Sequence, residues 1–384
     1  MRVSQHAAPT ALLFVLMYCS KNVGYDRALP RIAGMVLLDA TADIDGVTAI
    51  CPWRKHAETP LERYDGLEIV HVPSVARGNT RRWLWEPGNL QLYTEHIRDL
   101  ILRYVAPGQK ALVVCTKEVV EAENIDKWSK HMVPFLNRTA PEDPKDGETE
   151  FRDGFAWSLD GRQVVLTWFG GYGIGANVWR DADVAIVCDD FYLPQRTIRA
   201  TLQGLRGHKA TEGLLAEAPE RWTEELECLM DGHVLRWMKQ MALRGKAREM
   251  DKDGVCGEQR LVMTGDLMRV LAHRPKVFPG AMIKVEHPNY DQLLDRLIAL
   301  LLSGEDDEIS TKEIEDKLDR PWADVSGNLK KHKQYEKALE AIGWAYWRGQ
   351  GRRRGCFRRI KTGKFSAHEN TIGGDQVSSS EYDF

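Results

Sequence analysis

The sequence predicts an α/β protein: a parallel sheet with helices on both faces, a helical region after it, and a small terminal domain of helices and a hairpin. Three observations predict this. Short apolar runs recur at 35–38, 67–72, 111–115, 164–169 and 184–188, without the polar alternation of a half-exposed strand. Helix-length segments lie between several of them, as crossovers between parallel strands require. After residue 290 the pattern changes to leucine-rich helices and then a short aromatic hairpin.

A chain of 384 residues that is 43% hydrophobic can bury a large core and accommodate two or three domains. The formal net charge is −3, so whole-chain electrostatics do not favour nucleic acid, and any such site must be a local basic patch. The seven cysteines, Cys19, Cys51, Cys115, Cys188, Cys228, Cys256 and Cys356, form no C-x-x-C pair and no metal-ligand spacing. They read as reduced thiols in a cytoplasmic protein, with no metal site. The apolar run 11–19 has the size of a signal-peptide core but is too short to span a bilayer, and Tyr18 is bulky where a cleavage site wants a small residue. It reads as a buried helix, and no membrane partner is expected.

Taken in order, residues 1–34 start helix-like and the run 35–38 ends in Asp39. A second strand at 67–72 is followed by a polar loop through Asn79, a helix at 90–104, the turn Pro107-Gly108 and a third strand at 111–115. The stretch 137–150 is rich in Pro, Asp, Glu and Lys and reads as a surface loop. Strands at 164–169 and 184–188 flank a glycine cluster, and a helical stretch at 219–247 completes the α/β domain, 35–250. Residues 251–289 read as a connecting region with turns at Pro275, Pro279 and Gly280. The last segment, 362–384, has too few apolar residues to fold and is expected to be disordered.

Two motifs carry candidate chemistry. LDATAD at 38–43 places Asp39, Thr41 and Asp43 in a tight turn at a strand end, where a hydroxyl and carboxylates can reach across a cleft. WFGGYGIGANVWRDADVAIVCDD at 168–190 runs a strand into Gly170, Gly171, Gly173 and Gly175, whose backbone amides can approach a phosphate closely.

Together these segments resemble the second motor lobe of superfamily-two nucleic-acid helicases, a RecA-like fold, over residues 35 to about 250. The glycine-rich segment is similar to the fifth motif, with Gly175-Ala176-Asn177 in place of a G-S-N-like tripeptide and alanine where serine is usual. LDATAD resembles the third motif, which couples nucleotide state to strand grip, a role that would fall to Asp39, Thr41 and Asp43. The strand ending in Thr116-Lys117 looks like the fourth motif, placing those two residues, with Gly175 and Asn177, near nucleic acid. The resemblance also implies an arginine finger for the γ-phosphate. Gln240, Arg244 and Arg248 are the favoured candidates, with both arginines expected on one helical face; Gln203-Gly204-Leu205-Arg206 competes.

No G-x-x-x-x-G-K-[ST] occurs and no acidic box precedes LDATAD. Only 34 residues precede the third-motif strand, whereas a first lobe needs roughly 100 or more. ATP and Mg are therefore expected only if another subunit supplies the first lobe.

The terminal domain, 290–361, reads as a helix at 290–303, a second from 308 capped by Ser310 with Glu313, closed by Pro321-Trp322, and a third at 326–342. Strands at 343–347 and 356–360 follow, around an arginine-rich turn. Three helices and a basic hairpin make a winged helix. No Asp or Glu occurs between Glu340 and Glu369, so Arg352, Arg353, Arg354 and Arg358, with Lys330 and Lys331 on the third helix, are the expected DNA contacts. The expectation is a helicase-like DNA-binding protein acting in DNA replication or the maintenance of a phage or mobile element. The alternative is a non-enzymatic DNA-binding regulator that works through the winged helix alone.

Overall fold

The computed structural model describes residues 44–50, 62–76, 80–116, 155–169, 179–206, 223–286, 292–332, 334–349 and 354–360. The expected strand at 35–38, the loop at 137–150 and the tail at 362–384 lie outside them.

Seven strands form one sheet: β1 Leu67–His71, β2 Lys110–Cys115, β3 Phe155–Leu159, β4 Arg162–Trp168, β5 Val184–Val187, β6 Gln259–Met263 and β7 Met282–Val285. Their spatial order is β3-β4-β2-β5-β6-β1-β7. All but β3 run parallel; β3 is antiparallel to β4. The β3–β4 link is the two-residue turn Asp160-Gly161, with φ of 47° and 76°. Positive φ at both positions matches the twist of a tight hairpin, which is why Asp-Gly suits it.

The central strands β2 and β5 are apolar from Ala111 to Cys115 and from Val184 to Val187 because both faces are covered. On one face α3, Asn89–Tyr104, packs Tyr93, Ile97, Leu100 and Ile101 against Val113, Leu166, Ile186 and Val262. On the other, α5, Glu224–Ala242, and α6, Leu267–Val277, pack Leu235, Met238, Met241 and Val270 against Ile69, Leu112, Val187 and Leu261. Thr223 caps α5 and the Asp266 carboxylate caps α6. Three shorter helices, α1 Val47–Ile50, α2 Thr80–Leu84 and α4 Gln195–Leu205, complete this part.

The sheet does not end at residue 250. The segment expected to be a connection supplies β6, paired on one side with β5 and on the other with β1, and β7 at the edge. Its local pattern hides this, because β6 opens with Gln259 and Arg260 and only its last three residues are apolar.

The terminal part runs α7 Leu293–Ser303, β8 Glu308–Ser310, α8 Thr311–Leu318, α9 Trp322–Lys331, α10 Tyr335–Ala341, β9 Trp344–Trp347 and β10 Cys356–Arg359. The strands form an antiparallel sheet in the order β8-β10-β9. Ser310 and Glu313 make the reciprocal capping box expected of them. Two expectations are corrected. Pro321 opens α9 rather than closing α8, which ends instead at Asp319 with φ of 51°. The single helix expected at 326–342 is two, broken between Lys331 and Tyr335 so that Ala338 and Leu339 of α10 can bury against Leu267 and Leu271 of α6. This shared core joins the terminal part to the α/β domain. No helix among the described residues is long and apolar enough to cross a membrane.

Candidate functional site at the carboxyl edge of the sheet

Parallel strands deliver their carboxyl ends to one edge, which is where open α/β sheets place ligand sites. Here that edge holds Ser74 after β1, Thr116 after β2, Phe169 after β4, Asp189 and Asp190 after β5, and Thr264 to Asp266 after β6.

Asp189 is buried with φ of 63°, an uncommon conformation for a residue with a side chain. Its backbone N–H donates to Thr264 Oγ1 at 2.8 Å, and the Tyr93 hydroxyl donates to its Oδ2 at 2.6 Å. Burial pushes the Asp189 carboxyl above its ordinary range, opposed by side-chain hydrogen bonds from Ser74, Tyr93, Thr80 and Thr264. These four hydroxyls come from the ends of β1 and β6, the start of α2 and the amino-terminal half of α3. One carboxylate thus braces four elements.

Asp190 faces the other way. The guanidinium of Arg269 in α6 donates through Nη1 to Asp190 at 2.6 Å and through Nε to Asp231 of α5 at 2.7 Å. Tyr192 accepts from Arg269 at 2.9 Å and donates to Asp190 at 3.0 Å. Burial works against the charge on Arg269, but Asp190, Tyr192, Asp231 and Asp266 outweigh it and raise its pKa. The second Asp231 oxygen accepts from Gln334, at the start of α10, at 2.5 Å. The network thus runs from a central strand end into the terminal part. Beside it lies a cavity of about 270 Å³, whose wall includes Glu227, Asp231, Asp266, Arg269, Lys331 and His332.

Gly265 makes this packing possible, since a Cβ there would run into the Asp190 carboxylate. Gly265→Ala is expected to cost about 1–3 kcal/mol, the usual penalty for forcing one carbon into a tight core. A denaturation midpoint equal to that of the parent would contradict the packing described.

Below the edge Phe169 stacks on Phe191 at 5.2 Å, and Trp237 meets Phe191 edge-on at 5.5 Å. His233 lies 5.3 Å from Phe191, and burial, with Arg236 nearby, lowers its pKa to about 4. It is neutral at pH 7. Because Asp189 and Asp190 are both committed to internal partners, the edge presents a positioned scaffold rather than an acid–base pair.

The structure separates the sequence-predicted residues. Asp39, Thr41, Asp43, Lys117, Gly175, Asn177, Arg352 and Arg353 lie outside the described residues. Thr116 is at the carboxyl edge, and its hydroxyl has no hydrogen-bond partner among the described residues. Gln240, Arg244 and Arg248 are at the opposite edge. The helix α5 stops at Ala242, so Arg244 lies in a turn and Arg248 in the 3-10 segment Lys246–Arg248, not on one helical face. That segment is tied to the amino ends of β5 and β6: Lys246 N–H donates to Ala182, Lys246 Nζ pairs with Asp183 at 2.5 Å, and Ala247 N–H donates to Gln259. Arg244 is half-buried, and burial followed by the charge of Arg248 lowers its pKa. The competing candidate, Arg206, ends α4 and pairs with Glu225 in the first turn of α5.

The basic hairpin is less free than its sequence suggests. Arg358 donates to Glu308 at 2.9 Å, Arg359 is engaged by Asp306 and Asp307, and Arg354 lies 3.9 Å from Glu315. The acidic run 305–308, distant in sequence from the hairpin, folds against β10 through β8. Of the lysines, Lys330 is exposed on α9 and Lys331 also borders the cavity. Of the tryptophans, Trp179 and Trp237 are core, whereas Trp85 is 73% exposed. Compared with protein-family models, with curated proteins and with solved structures, the chain finds no match.

Proposed function

We propose that this chain binds DNA through its terminal part, used as a winged helix, and that its α/β domain is a helicase-like second motor lobe. Hydrolysis would then need a partner subunit carrying the phosphate loop, with ATP and Mg bound between the two. The observation that carries the DNA-binding half is the order helix, strand, helix, helix, hairpin, with β8-β10-β9 antiparallel; α10 is an added short helix. In that arrangement α8 and α9 form the helix-turn-helix pair and β9–β10 the wing. Since Arg358 and Arg359 have acidic partners, phosphate contact falls chiefly to Arg348, Arg352 and Arg353, with Lys330 on the exposed side of α9. We propose DNA replication or mobile-element maintenance as its setting.

A second reading, a non-enzymatic DNA-binding regulator, is favoured by one observation. Arg244 and Arg248 lie at the amino edge of the sheet, away from the strand ends that would face a nucleotide.

Binding of a fluorescent DNA duplex over a salt series tests the proposal. Affinity should fall steeply with salt, and Arg352→Ala with Arg353→Ala should flatten the log–log slope by about 2, close to 0.9 for each phosphate that is no longer neutralised. Arg358→Ala should change it less, because Glu308 already occupies that guanidinium. Absence of binding at low salt would end the reading. DNA-stimulated ATP hydrolysis by the purified chain alone would refute the need for a partner lobe.

A further inference from the structure

One polar contact across the junction between the terminal part and the sheet is incomplete. Leu294, Leu297, Ile298 and Leu301 of α7 bury against Leu267, Met268 and Leu271 of α6. In the same helix Asp295 is only 4% exposed, and its Oδ2 lies 3.8 Å from Nδ1 of His71, the buried last residue of β1. That oxygen has no hydrogen-bond partner among the described residues. His71 presents a lone pair to it, since the Nε2 proton is directed at the Gly265 carbonyl, an acceptor only, at 2.8 Å. A proton held on Asp295, or passed to His71, makes this contact attractive. Without it, a bare carboxylate faces a lone pair inside the fold.

The charges around the pair do not replace that proton. Burial, and then the charge of Asp266 ahead of α6, pushes the Asp295 carboxyl up to about 7. Of the α6 cations, Arg269 is committed to Asp190 and Asp231, Arg274 donates to the carbonyls of Ala281 and Ala341, and Lys276 is exposed. Burial lowers the pKa of His273 in the same helix. Arg296, beside Asp295, donates to the Leu318 carbonyl, and Lys284 of β7 pairs with Glu286 at 2.6 Å. On α8 and α9, which also pack against α7, the ionisable residues are exposed apart from Glu315, which accepts the Trp322 N–H. A helix start favours a carboxylate, but weakly beside the cost of burying its charge. Asparagine would fill the same space without that cost, so a merely structural contact does not require a titratable group here.

We propose that Asp295 and His71 form a proton-dependent latch: the protonated pair holds the terminal part against the carboxyl edge of the sheet, and loss of the proton loosens this junction without unfolding the sheet. The latch acts on the docking of the two parts, whatever the terminal part binds. Because the folded-state pKa of an acid is raised, docking is tightest below about pH 4 and weakens up to about 7.

The test is hydrogen exchange of the full chain from pH 5 to 8, read by mass spectrometry on peptides from α7 and from β2 and β5, with rates corrected for the intrinsic pH dependence of amide exchange. With a latch, α7 opens more readily than the central strands at every pH. Its opening constant, divided by that of Asp295→Asn at the same pH, should rise about 50-fold from pH 5 to 7, as release of one proton between those pKa values requires. The same ratio should then rise less than about threefold from pH 7 to 8. If α7 opens only together with β2 and β5, at one common constant, the latch is overturned, because Asp295 then acts on the whole fold at once. A ratio that does not change with pH overturns it too, since the carboxyl would then titrate alike in the docked and open forms.

Discussion

An Arg269→Met chain will be about 3–5 kcal/mol less stable than the parent, the cost of removing one partner from a buried ion pair. Methionine matches the volume of the arginine stem but leaves Asp190 and Asp231, both largely buried, without their shared cation. The damage should reach the terminal part, because Asp231 also holds Gln334. Arg269→Lys should recover only part of the loss: an ammonium keeps the charge but cannot reproduce the planar fork that reaches both carboxylates and Tyr192. Adding Asp190→Asn to Arg269→Met should be less than additive, since the second change removes a charge that the first stranded. Chemical denaturation followed by circular dichroism of these three chains, and of Asp190→Asn alone to complete the cycle, checks all three expectations. A loss below about 1 kcal/mol in Arg269→Met would mean that the network contributes no more than a surface pair.

The contribution of Asp295 to stability will fall as pH rises from about 4 to 7, and Asp295→Asn will remove it, read as the difference between the two chains' stabilities at each pH. Asp295 lies in the first turn of α7, is only 4% exposed, and faces His71 Nδ1 at 3.8 Å across the junction with the sheet. His71 Nε2 lies 2.8 Å from the Gly265 carbonyl, which can only accept, so the ring proton is on that nitrogen. Burial, and then the charge of Asp266, pushes the Asp295 carboxyl up to about 7. The folded form therefore holds its proton through a range in which the unfolded carboxyl, near 3.8, has released it. The contribution is fully present below about pH 4, declines up to about 7, and is gone above that. A gap of about three pH units corresponds to roughly 4 kcal/mol. Asparagine carries no charge to bury, so the stability difference should shift in the variant's favour as pH rises over this range, leaving the variant more stable than the parent at pH 8. Parallel profiles for the two chains would show that Asp295 ionises in the fold at no cost.

Much of the architecture is legible because it is local. The runs that form β2, β4 and β5 hold consecutive apolar residues without alternation, and α3 shows helical periodicity; both follow from short-range geometry acting on burial. The Ser310–Glu313 cap is legible for the same reason, since a four-residue window contains the whole motif. The Asp160-Gly161 hairpin has an equally local signature, an Asp-Gly pair between two strands, and that signal alone could have found it.

What only the tertiary structure decided depends on which distant segments the crossovers bring together. β6 is polar at its start and becomes a buried central strand because β1 and β5 lie on either side of it. Arg269 meets Asp190 across 79 residues, and His71 meets Gly265 across 194. Arg244 and Arg248 resemble a finger by spacing, yet α5 runs antiparallel to the strands and sets them down at the amino edge. The arginines of β10 look free until β8 brings Glu308 beside them. Residue spacing encodes which face of an element is buried; it does not encode which edge of the sheet a crossover reaches, or whose charge will be waiting there.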